Sequence, residues 1–108
     1  MGKIKYAIEL EIFEATDCEV HEVGQRLKYP DDVGRLCPWL LDSLNSMART
    51  LQFGGTLPWR YEGTPYEKET GQAGIETEFV CCPDPTSSGV VVRITRTRLP
   101  KPTEVGWA

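Results

Sequence analysis

Ile4, Tyr6, Ile8, Leu10 and Ile12 alternate with Lys3, Lys5, Ala7, Glu9 and Glu11, so that five apolar side chains recur at every second position. A period of two puts them on one face of extended backbone, and the spacing predicts a strand with one buried side. The alternation stops at the polar cluster 14–18, and residues 23–29 read as a short second strand introduced by Gly24 and closed by Pro30, Asp31 and Asp32.

The period then changes. Leu40, Leu44, Met47 and Leu51 recur at helical spacing, with Leu41 and Ala48 widening the stripe, and Pro38 stands where a helix tolerates a missing N–H. Gly54 suits the left-handed residue that ends a helix, and Gly55 extends the break. Between Thr56 and Gly74 there is no period at all: Pro58, Gly63, Pro65, Gly71 and Gly74 interrupt a stretch that also carries Trp59, Tyr61 and Tyr66. A loop this long in a compact domain binds something or covers something. Two more strands are expected at 75–81 and 89–99, joined by a turn-rich connection.

The order β-β-α-β-β leaves one helix to cover one sheet face, which predicts an α+β fold: a small, mainly antiparallel sheet with a central helix packed on one side. Residues 1–99 are expected to form a single domain, with a loop at 56–74, and residues 100–108 a tail without periodicity that docks on a partner through Trp107.

Composition narrows the function classes. The 108 residues are 40% hydrophobic and 26% charged, the balance of a globular domain. A net charge of -4 argues against general binding to nucleic acid or anionic lipid. No run is long and apolar enough to span a bilayer, and a cytoplasmic location is expected. Arg93, Arg96, Arg98 and Lys101 crowd the last strand, whereas Glu62, Glu67, Glu69, Glu76 and Glu78 precede it. That acidic run reads as solvated surface, and the arginines as either the same or a strip for a small anion.

Four cysteines, at 18, 37, 81 and 82, lack the spacing of a secreted disulfide scaffold. Cys18 and His21 have the two-residue gap of half a zinc site, but no second close pair completes it, and Cys81 and Cys82 point to opposite faces of a strand. Buried thiols and a surface histidine account for the same residues. Cys37 opens the helix, where the dipole and unpaired N–H groups favour thiolate, and His21 is the one histidine able to serve it as a base. No phosphate loop, nucleophile elbow or distinguished carboxylate pair is present.

In order along the chain stand Cys18 and His21 with Val23 and Gly24, then Cys37, Pro38 and Trp39, then Gly54 and Gly55, Pro58 and Trp59, and finally Cys82, Pro83, Asp84 and Pro85 ahead of residues 90–94. This series resembles a family of short prokaryotic proteins of unknown function. The resemblance implies a shared fold and a cluster in which Cys18, His21, Cys37 and Cys82 meet; thiolate and imidazole are ligands that zinc accepts, which makes zinc the candidate metal. The chain departs from that pattern by a shortened Cys/His gap, by Gln25 in place of an aspartate, and by the added segments from Arg60 to Gly74 and after Arg98. These additions suggest a member specialised for a partner.

The expectation that follows is a non-catalytic small subunit or accessory protein of a larger cytoplasmic enzyme complex. Trp59, Tyr61, Tyr66 and Trp107 would contact the partner, because aromatic side chains of this kind are enriched in interface cores. The alternatives are a thiol enzyme or redox protein using Cys37, and an anion-binding module using Arg93, Arg96 and Arg98.

Overall fold

The computed structural model describes residues 3–16, 18, 20–71, 74–83, 85 and 89–104. Its elements are β1 (Lys3–Glu14), β2 (Arg26–Tyr29), a single 3-10 turn (Val33–Arg35), α1 (Pro38–Gln52), β3 (Thr70–Gly71), β4 (Gly74–Ile75), β5 (Thr77–Cys81) and β6 (Val91–Glu104). The fold is α+β: a four-stranded antiparallel sheet ordered β2-β1-β6-β5, with β3 and β4 forming a two-stranded hairpin of their own. The two longest strands, β1 and β6, occupy the centre, and α1 carries the chain from the β2 edge across to the β5 edge.

Register makes the core. Leu10 stands opposite both Leu27 and Ile94, Ile12 opposite Val92, and Ile8 opposite Tyr29 and Arg96, so these residues share one face. Leu40, Leu44, Ala48 and Leu51 of α1 close over that face, each wholly buried. Burial of such side chains contributes about 1.5–3 kcal/mol apiece, which makes this seam the main source of stability. The helix ends as its sequence requires: Gly54 takes φ +96, its N–H donates to Leu51 O, and Gly55 N–H donates to Thr50 O. Those two bonds are the pair expected when a left-handed residue closes a helix.

The opposite face of the sheet is polar along β2, β1 and β6. Arg26 pairs with Glu9 at 2.5 Å, and Arg93 pairs with Glu11 at 2.6 Å. At one corner this face turns aromatic: a register shift between Ile12 and Glu14 brings Phe13 against Phe79 and Tyr66.

Three boundaries differ from those the pattern predicts. The second strand starts at Arg26 because Gly24, at φ +91, belongs to the turn. The segment expected as one strand at 75–81 is divided, since Glu76 N–H bonds back to Glu69 O and only Thr77 onward joins β6. The last strand does not end at Leu99. It runs to Glu104, pairing Thr103 with Ile4 and Glu104 with Lys3, so residues 100–104 belong to the sheet rather than to a tail. Pro100 and Pro102, which lack the N–H a ladder needs, fall in the shift between the Tyr6–Arg98 and Ile4–Thr103 pairs. No helix among the described residues is long and apolar enough to cross a membrane.

Residues 56–71 form a strap that leaves the helix end and passes around the β5 edge. It is fastened by main-chain and side-chain bonds: Lys68 N–H to Arg60 O and Glu69 N–H to Thr77 Oγ1.

Candidate functional site

At the start of α1 the chain brings His21 and Cys37 together. The imidazole, 2% exposed, accepts the Cys37 main-chain N–H on Nε2 at 3.1 Å and meets Gln25 Oε1 with Nδ1 at 2.8 Å. An accepting Nε2 carries no proton, so the proton lies on Nδ1 and is donated to Gln25; the ring is neutral. Cys18 Sγ accepts the His21 N–H at 3.4 Å. His21 therefore satisfies the N–H of the N-cap residue, the donor that a Glu or Gln side chain takes in a capping box, while the Cys37 side chain makes no capping bond.

Cys18, Cys37 and Cys82 pack half-buried against the apolar core, Cys81 is exposed, and all four are free thiols. Among the described residues no group of three or more His, Cys, Asp or Glu side chains could hold a metal ion. Both ring nitrogens of His21 are in use, so a metal there would take the imidazole away from either Cys37 or Gln25. The histidine read as a surface residue is in fact enclosed; Gln25, noted in the sequence only as a departure from an aspartate, is the residue that orients it.

The strap holds the other unusual group of side chains. Lys68 and Glu78 form an ion pair at 2.5 Å, with side chains 0% and 2% exposed. Lys68 Nζ also approaches Leu57 O at 3.4 Å and lies over the Tyr61 ring, 5.1 Å from its centroid. Glu78 Oε1 accepts the Phe79 N–H at 3.0 Å. Glu78 stands opposite Ile94, on the helix side of the sheet, so one member of the acidic run expected at the surface is a core residue. On the far side of β5, Tyr66 donates to the Glu14 carboxylate and packs edge-on to Phe13 and Phe79. The Glu14 bond, then burial and the nearby negative charge hold the Tyr66 hydroxyl above its ordinary pKa.

Fastened in this way, the strap presents aromatic rings outward. Trp59 is 60% and Tyr61 44% exposed. Tyr61 has φ +56, a left-handed conformation costly for a bulky residue, and is held there as its carbonyl accepts the Thr64 N–H at 3.2 Å and the Thr64 hydroxyl at 2.6 Å. Beside it lies a cleft of about 350 Å³ lined by Tyr61, Thr64, Tyr66, Phe79, Val80, Cys81 and Val91. Trp107 lies outside the described residues.

The three arginines do not form one strip. Arg93 faces Glu11 on the polar side, whereas Arg96 is buried on the helix side, stacked 4.3 Å from the Tyr6 ring with Nη1 donating to Gly55 O. Arg98 reaches the Tyr6 hydroxyl at 3.5 Å. Strand parity accounts for the split, because an odd and an even position lie on opposite faces.

No family model, curated protein or solved structure matches this chain. The site's chemistry is thus read from its own residues.

Proposed function

We propose that the protein is a non-catalytic, protein-binding small subunit or accessory protein that docks on a larger cytoplasmic enzyme through the strap. The supporting observation is Tyr61: a strained, exposed aromatic at the lip of an apolar cleft, two positions from the exposed Trp59, on a segment pinned from beneath by a buried ion pair. Strain of this kind persists where surrounding structure enforces it and clusters at binding sites. Aromatic side chains presented on a rigid base lose little entropy on binding and act as interface hot spots.

The thiol reading is weaker, because the base it needs accepts the Cys37 main-chain N–H and donates to Gln25. The zinc expectation is separate from docking and is decided by elemental analysis: one equivalent of bound zinc in the wild type that is absent from His21→Ala would establish it.

Gentle native purification followed by light scattering tests the docking reading. The wild-type chain is expected in an assembly larger than its 12.2 kDa monomer, and Trp59→Ser/Tyr61→Gly is expected to run as a folded monomer. Tyr61→Gly relieves the left-handed strain but uncovers Lys68, so a thermal melt matching wild type is the control that assigns loss of assembly to lost docking rather than to unfolding. Recovery of the wild type as a free monomer alone would sink the proposal.

A further inference from the structure

Among the described residues no strand pairs with the outer edge of β5. In the β5–β6 ladder the bonded positions are the even ones: Arg96 N–H donates to Glu76 O and Cys82 N–H to Val90 O. Alternation turns the main-chain groups of Thr77, Phe79 and Cys81 away from β6. The Phe79 N–H is taken by the Glu78 carboxylate. The Phe79 carbonyl and both main-chain groups of Cys81 make no hydrogen bond among the described residues.

The apolar cleft runs along this same stretch. Phe79, Cys81 and Val91 point away from the helix and Val80 toward it, so the cleft lies mainly over the outer face of the sheet and reaches the β5 edge. Its surroundings are acidic: Glu14 at Tyr66, Glu62 next to Tyr61, and Glu67, whose carboxylate holds the Gly63 N–H. Of the nearby cations, Lys68 and Arg93 are paired with Glu78 and Glu11, and Arg60 lies beside Glu62 and Glu67, so Glu14, Glu62 and Glu67 still outnumber the one cation left to balance them.

We propose that β5 accepts an extended peptide segment of the partner as an added strand along Phe79–Cys81. One apolar side chain of that segment drops between Tyr61 and Tyr66, and flanking Lys or Arg side chains meet the carboxylates. Main-chain bonds to an open edge supply affinity and the cleft supplies selectivity, which is the physical basis of strand addition. A second copy of this chain is the poorer occupant, because it would bring two acidic rims together. The inference rests on the protein-binding reading and narrows it to one edge and one peptide chemistry.

The test uses the isotope-labelled full chain and an acetylated Lys-Val repeat peptide of about ten residues. Saturable shifts are expected at the amides of Phe79, Val80 and Cys81. The same peptide N-methylated at alternate residues is expected to bind about tenfold more weakly or worse, the equivalent of lost ladder hydrogen bonds. Replacing its lysines with glutamates is expected to weaken binding as well, and added salt to narrow that difference. Absence of shifts at those amides, or equal binding of the N-methylated peptide, overturns the proposal. The native assembly gives the distinction from the broader reading: if it survives Cys81→Pro, which deletes the outward N–H, docking stands and strand addition falls. Dimerisation of the pure chain that Cys81→Pro abolishes would replace the peptide with a second copy.

Discussion

The seam between α1 and the sheet and the strap around β5 are both buried, but they are held by opposite chemistry. Beneath the helix, Leu10, Leu44, Leu51 and Ile94 exclude water without a polar atom among their side chains. Beneath the strap, the enclosed groups are an ammonium and a carboxylate. Aliphatic burial is additive and tolerant of small shifts, whereas a buried ion pair is stable only while both members remain. The first arrangement fixes a fold; the second fixes where one segment sits, which is what a docking loop needs.

The largest test of that difference removes one charge. Lys68→Met leaves the Glu78 carboxylate without its counter-charge and is expected to cost about 3–5 kcal/mol in chemical denaturation. The double variant Lys68→Met/Glu78→Leu is expected to return to within about 1 kcal/mol of wild type or to exceed it. A single variant as stable as wild type would show that charge does not fasten the strap. Leu44→Ala, at a site with no exposure, is expected to cost about 2–5 kcal/mol, with hydrogen-exchange protection falling throughout the sheet. In Lys68→Met the first amides to lose protection should instead be those of the strap.

His21→Ala sharpens the comparison, since it removes a polar fastening from the aliphatic region itself. The Cys37 N–H loses its acceptor, and a loss of about 1–2 kcal/mol is expected, read by thermal melting. The smallest effect concerns Tyr66. Its folded pKa lies above the unfolded value of 10.0, so the neutral hydroxyl is favoured by folding; the associated stability is complete below pH 10 and declines as pH rises through the folded value. Tyr66→Phe should flatten that alkaline decline, and an unchanged slope would assign it to other groups.

The seam was legible from residue order because periodicity is a property of many positions at once. Five alternating residues or a helical stripe cannot easily serve another purpose, and the first strand and the helix appear where they predict them. The strap had no such redundancy. Lys68, in a stretch without period, and Glu78, one of a run of acidic residues, are indistinguishable from solvated charges until the fold places them 2.5 Å apart. The Cys/His spacing drew attention to a real junction, at which His21 and Cys37 do meet, but the bond joins an imidazole to a main-chain N–H, and no side-chain motif encodes a main-chain donor. The arginines were grouped by nearness in sequence, and strand parity separated them.

Pro100 and Pro102 lie in the long arm where β6 runs on with β1 beyond the reach of β5. With no amide hydrogen at either position, β6 offers a stray chain two fewer donors along that arm, a covalent obstacle to fibril-like stacking there. One side of the sheet is thereby made unequal along its length, chemically blunted where β6 runs past the end of β5 and receptive along β5 itself.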